Sequence, residues 1–382
     1  MTTIEYNLTD IPLERLRRRR SAKWTHYPDD VLPAFVAEMD FPLAQPVKDA
    51  LIEAIGLDDA GYSNAPSSGL AEAFAGFAQR RWSWPVDPSQ VTATTDVVGG
   101  LRALLELIAG PDEGVILNPP VYFPFFSIVP EVGSEVIEVP LDDQGQLDLD
   151  GIERAFADGA RAMILCSPHN PTGTVPTRRQ LERLAEIAVA AGGWVLSDEI
   201  HAPLTLPGAS HSPFLDVSDA ARECGICLTS ASKTFNVAGL GCALIVTAGA
   251  RTAQIVSRLS VGDTHPGHLG VIAAIAAFER GEDWLDQVIA RLDGNRKLLA
   301  DLLARYLPAA RYRPPEAGYL AWIDARGLGL GPDPSIPILD EARLAVSGGP
   351  GFGSGGTGYF RLNIGTTPTF VEAAVRSVSE VT

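Results

Sequence analysis

The 382-residue sequence predicts an α/β protein: a mostly parallel sheet sandwiched by helices, with a smaller α+β domain after it. Two observations carry this. Between residues 46 and 280, short apolar runs without polar alternation recur between segments of helical spacing. Strands buried on both faces of a parallel sheet read this way. After about residue 280 that alternation stops, and one long helical pattern is followed by two strand-like runs and a closing helix.

Taken in order, residues 1–45 are Pro-rich and irregular, and are expected to pack with the small domain. PVKDALIEAIG and GLAEAFAGFAQRRW have helical spacing, and TTDVVGGLRALLELI opens another helix. GVILN (114–118) and SEVIEV (134–139) are short strands. LDGIERAFAD is a helix, RAMILCS (161–167) a buried strand and TRRQLERLAEIAVAAG a helix. GWVLSDE (193–199), GICLTSAS (225–232) and CALIVT (242–247) complete the apolar strands of a large domain over 46–280. Residues 281–382 form the small domain, with EDWLDQVIARLDGNRKLLADLLARYL as a long helix, GYLAWIDA and GYFRLNIG as strands, and TPTFVEAAVRSVSE as the last helix.

A net charge of −17 argues against a nucleic-acid partner, because phosphates would be repelled. The one basic run, RLRRRRSAK (15–23), is read as a solvated helix face. No apolar run approaches the ~18 residues of a membrane span, and MTTIEYNLTD lacks a secretory pattern. A cytoplasmic protein is the expectation. Cys224 and Cys227 form a C-x-x-C without a second pair for zinc, and the motif runs into a strand where a redox motif would open a helix. HPGH (265–268) lacks further ligand-like neighbours, so a loop or pocket wall is expected and no metal site.

Ligands of open α/β sheets bind beyond the carboxyl ends of strands. Three such ends carry polar groups here: Asn170 in ILCSPHNPTG, Asp198 and His201 in WVLSDEIH, and Ser230, Ser232 and Lys233 in CLTSASK. Singly, Asn170 suits a turn and Asp198 a helix cap. Together they would bring an amide, a carboxylate and an amine to one sheet edge. Lys233 has no carboxylate within eight positions on either side. A lysine in neutral surroundings suits covalent chemistry on a carbonyl compound.

SASKTFNVAGL, HNPTG and VLSDEIH resemble the active-site motifs of the fold-type I pyridoxal phosphate enzymes, the aspartate aminotransferase superfamily. LPAFVAEMDF, NPPVYFPF, YLAWID and GYFRLNIG resemble its cystathionine β-lyase and C–S lyase branch, so the likeness spans about residues 23–365. It implies pyridoxal 5′-phosphate as cofactor, covalently held by Lys233. It also implies Asp198 at the pyridine nitrogen, Asn170 at the phenolic oxygen, His201 among the cofactor contacts and Tyr122 stacked on the ring. Val97, Val98, Ser230 and Ser232 would meet the phosphate, Tyr62 would reach it from a second subunit, and Arg361 would clamp the substrate carboxylate.

Two positions depart from the pattern. Asp96 stands where a small residue is usual, and Gly241 replaces the arginine that aspartate aminotransferases place near the phosphate, which favours the lyase branch. GFGSGG (351–356) matches G-x-G-x-x-G but precedes a strand with no helix after it, so it is not a dinucleotide loop; by resemblance it is a mobile loop near the substrate. The expectation is a homodimeric C–S β-lyase acting on a small amino acid, with shared active sites. An aminotransferase, a cofactor-binding regulator with little turnover, and an α/β domain without cofactor are the alternatives.

Overall fold

The computed structural model describes residue 8 and residues 10–382; the other residues of the 1–45 segment lie outside the description. Seven strands form the main sheet: β1 (Val91–Thr94), β2 (Gly114–Leu117), β3 (Glu135–Glu138), β4 (Ala160–Cys166), β5 (Trp194–Asp198), β6 (Gly225–Thr229) and β7 (Ala243–Val246). Their order is β1-β7-β6-β5-β4-β2-β3. Neighbours pair in parallel except around β7, which is antiparallel to both β1 and β6. The predicted α/β class is therefore the observed one, with one reversed strand that hydropathy alone did not show.

The apolar runs read as expected because both sheet faces are covered. Along β4, Met163 and Leu165 enter one core cluster, while Ala162, Ile164 and Cys166 enter the other. On β5, Val195 joins the first and Trp194 and Leu196 the second. Period-two alternation is still present, but it separates two dry faces, so no polar residue marks it.

A second sheet holds β8 (Arg311–Tyr312), β9 (Leu320–Asp324), β10 (Ser347–Gly348) and β11 (Tyr359–Asn363), in the order β10-β11-β9-β8 and antiparallel throughout. The long helix Glu282–Tyr306 precedes it and Pro368–Ser379 follows. Leu32–Pro33 pairs in parallel with Leu344–Ala345, which ties the N-terminal segment to this part of the chain. Beyond it, Asn363 Nδ2 donates to the carbonyls of Val36 and Glu38 at 2.7 Å, while Asn236 and Met39 exchange two hydrogen bonds of 2.8 Å. Residues 35–42 thus form a strap between the two sheets.

The basic run corrects one expectation. Arg15, Arg17, Arg18 and Arg20 are exposed, but Lys23 is 1% exposed and pairs with buried Asp40 at 2.8 Å. Arg19 donates to the carbonyls of Met39 and Phe41. Buried Lys23 and half-buried Arg19 look like solvated cations in sequence, since their partners lie 15–22 positions away. The GFGSGG stretch is docked: Phe352 is 1% exposed, and its carbonyl accepts from the Val121 N–H at 2.8 Å.

Candidate active site

A cavity of about 170 Å³ opens at the carboxyl ends of β4, β5 and β6. Nine of the residues singled out from sequence line it: Val97, Val98, Tyr122, Asn170, Asp198, His201, Ser230, Ser232 and Lys233. Each sits at a strand end, in the loop that follows one or in the first turn of the next helix. Asp198 ends β5, in register with Cys166 of β4 and Leu228 of β6. Ser230 caps the short helix Ala231–Thr234 by accepting from the Ser232 N–H, so Lys233 projects from the first turn after β6.

The electrostatics follow from burial. Asp198 is 5% exposed and accepts one hydrogen bond, from the Ile200 N–H at 3.1 Å. Desolvation pushes its carboxyl up to about 7, against that hydrogen bond and the nearby Lys233. Desolvation also lowers the Lys233 ammonium, Arg361 adds to the effect, and Glu38 and Asp198 oppose it. Lys233 Nζ donates to the Ala37 carbonyl at 3.1 Å. His201 is pushed down to about 3, first by burial and then by Lys233 and Arg361, so its imidazole is neutral. Its Nδ1 is buried without a partner among the described residues.

Arg361 lies just behind Asn170. Its Nη1 donates to Asn170 Oδ1 at 3.0 Å and its Nη2 to the Phe35 carbonyl and Ser347 Oγ, while its buried Nε has no partner among the described residues. Burial lowers its guanidinium to about 10, which leaves it charged at neutral pH. A buried cation with a free donor is suited to a carboxylate.

At the helix Val97–Ile108, Val97 and Val98 are the first two positions, whose N–H groups have no intrahelical acceptor. Asp96 is the cap: its Oδ1 accepts from the Gly99 N–H at 2.8 Å, so the carboxylate is turned onto its own helix. That resolves its place in the sequence, and the cost of a carboxylate there is offset by the helix end. Ser230 differs from expectation in one respect. Its hydroxyl already donates to the Cys242 carbonyl at 2.6 Å.

Tyr62 is not in the cavity. It is 92% exposed, with its ring 5.9 Å from His265. Conversely, the cavity includes Ala37, Thr95, Asp96, Cys166, Ile200, Ala238 and Cys242. Of these only Asp96 was weighed from sequence. Ala37 enters through a backbone carbonyl, and Cys166 through its register with Asp198, neither of which has a sequence signature. The four cysteines are buried and free. Among the described residues no His/Cys/Asp/Glu cluster could hold a metal, and no helix is long and apolar enough to cross a membrane.

Known proteins resemble this chain in sequence and in fold. The cystathionine beta-lyase of Corynebacterium glutamicum is 35% identical, covering 97% of this chain and 98% of its own. Cystathionine beta-lyase PatB of Bacillus subtilis is 32% identical, covering 91% and 92%. The crystal structure of cystalysin from Treponema denticola, which contains a pyridoxal 5′-phosphate cofactor, superposes with a TM-score of 0.90 at 26% identity, over 98% of this chain and 97% of that one. Residues 36–378 match the family described as aminotransferase class I and II, and the chain belongs to that family.

Proposed function

We propose that this protein is a pyridoxal phosphate-dependent carbon–sulfur β-lyase. It takes cystathionine or another S-substituted cysteine to a thiol, pyruvate and ammonia. The observation that carries the reading is the convergence of Lys233, Asp198, Asn170 and Tyr122 on one cavity, with Arg361 bonded to Asn170 behind it. Relatives named as cystathionine beta-lyases over nearly their full length support it.

The residues fit the cofactor. A carboxylate held near neutrality by burial calls for a cation opposite it, and a pyridinium nitrogen is one. The partnerless Nδ1 of His201 and the amide of Asn170 suit a phenolic oxygen. The free N–H groups of Val97 and Val98 and the Ser232 hydroxyl suit a phosphate, and Tyr122 offers a ring face. When bound, the cofactor supplies an electron sink for the bond-breaking at Cα and Cβ.

The chain's own residues do the rest. Lys233 would hold the cofactor covalently, and its free amine would be the base for the Cα proton. Burial and Arg361 favour the neutral amine needed for that step. Asp198 would keep the ring nitrogen of the cofactor protonated. Arg361 meets the α-carboxylate and sets which Cα bond faces the lysine. Residues 46–280 thus carry the cofactor, 281–382 the carboxylate clamp, and the 1–45 segment the strap between them.

The working unit is a homodimer in which Tyr62 completes the neighbouring site. Its support is the 92% exposure of Tyr62 and of apolar side chains close to it in the chain, Ile52 at 61%, Ile55 at 57% and Leu57 at 72%. A second copy would cover them.

The test is direct. Purified protein loaded with pyridoxal phosphate should release pyruvate and thiol from cystathionine. Borohydride reduction and peptide mapping should place the cofactor on Lys233, and Lys233→Ala should abolish both. Label on another lysine would sink the site assignment, and amino transfer to a keto acid without pyruvate release would make the protein an aminotransferase.

A further inference from the structure

The strap of residues 35–42 is gripped through its carbonyls. Arg361 and Ser347 donate to Phe35, Asn363 to Val36 and Glu38, and Arg19 and Asn236 to Met39. The Ala37 carbonyl is different, because one of its two donors is the reactive amine. It accepts from Lys233 Nζ at 3.1 Å and from the Tyr319 hydroxyl at 3.0 Å. Tyr319 is fully buried on the small-domain sheet side, and its hydroxyl makes this one hydrogen bond among the described residues.

We propose that Tyr319 is a positioning residue for Lys233, acting through the shared Ala37 carbonyl. The inference rests on the reading of Lys233 as the reaction's base. A carbonyl oxygen has two lone pairs, and here each has a donor. The lysine therefore gives one N–H to a fixed point, which keeps the lone pair of the neutral amine off that oxygen. The tyrosine also draws charge from the same oxygen. An ammonium at Lys233 is then held less tightly than it would be by an unshared carbonyl, which favours the neutral base. Without the hydroxyl, the full acceptor strength of Ala37 turns to the lysine and stabilises its charged form.

Other groups face the amine and stay constant in the comparison. Arg361 on β11 disfavours the ammonium, while Glu38 on the strap and Asp198 at the end of β5 favour it. His201 after β5 and Tyr122 before the helix Phe125–Glu131 line the same cavity and are uncharged at neutral pH.

The sequence makes the test clean, because it has four lysines: Lys23, Lys48, Lys233 and Lys297. Cofactor-free protein is treated with trace acetic anhydride across a pH series, and each lysine peptide is quantified by mass spectrometry. Lys48 is exposed and serves as the internal standard. In Tyr319→Phe, which keeps the ring and its packing, acetylation of Lys233 relative to Lys48 at pH 8 should fall about fivefold, since a stronger acceptor favours the protonated form. An unchanged ratio overturns the proposal. In the loaded enzyme the acid limb of kcat should move to higher pH with KM little changed. A uniform loss of kcat with an unmoved limb would mean packing alone and would also overturn it. The labelling arm needs no cofactor. If pyridoxal phosphate failed to bind at Lys233, the lyase reading would fall while the acetylation ratio still decided the role of Tyr319.

Discussion

A carboxylate in a dry pocket is costly unless a cation faces it, and Asp198 shows the cost in its pKa of about 7. The consequence for stability has a definite sign. In the cofactor-free protein the folded carboxyl binds its proton more tightly than the unfolded one, whose value is 3.8. Its stabilising contribution is present below the unfolded value and is lost as pH rises through the folded one. Cofactor-free Asp198→Asn, which has no proton to lose, should therefore be more stable than the parent at pH 8, with the difference shrinking through pH 7 and gone below pH 4. Thermal unfolding at several pH values measures it. In the loaded enzyme the same substitution should keep the cofactor but lower kcat severely, because an amide does not hold a pyridine nitrogen protonated. Arg361→Lys should mainly raise KM, since a point charge replaces a fork that binds carboxylate in ground and transition states alike. Steady-state kinetics with cystathionine separates the two outcomes.

The strap at residues 35–42 has little regular structure, so its position depends on side chains that come to it. Lys23 and Asp40 anchor one end, with side chains 1% and 0% exposed. Removing one partner strands a buried charge. Asp40→Ala should destabilise the protein by about 3–5 kcal/mol, whereas Lys23→Met with Asp40→Leu together should cost far less or nothing. Urea unfolding of the two variants tests this, and equal losses would show that the pair acts by packing alone. Activity should fall with Asp40→Ala beyond the loss of folded protein, because Ala37 and Phe35 hold Lys233 and Arg361 from the same strap.

At the scale of the whole molecule, the Arg361–Asn170 hydrogen bond joins the two sheets directly at the cavity. The proposed dimer adds a third contributor. If Tyr62 crosses to a neighbouring site, mixing inactive Lys233→Ala chains with inactive Tyr62→Ala chains should restore activity. One site of each mixed dimer then carries both lesions and the other carries none. Verified subunit exchange without recovery, or a fully active monomer, would reject the shared site.

The order of elements was legible because buried parallel strands and amphipathic helices are local patterns, each written in about a dozen consecutive residues. The cavity was legible for a related reason. Its polar groups sit directly after apolar strands, as Asn170, Asp198 and Lys233 do, so chain position alone placed them at one sheet edge. Contacts made by backbone or across long separations left no such mark. The reversed direction of β7, the burial of Lys23 against Asp40 and the grip of Tyr319 and Lys233 on Ala37 depend on segments that only folding brings together. A carbonyl has the same chemistry in every residue, so sequence can name the lysine, but the tertiary structure decides what holds it.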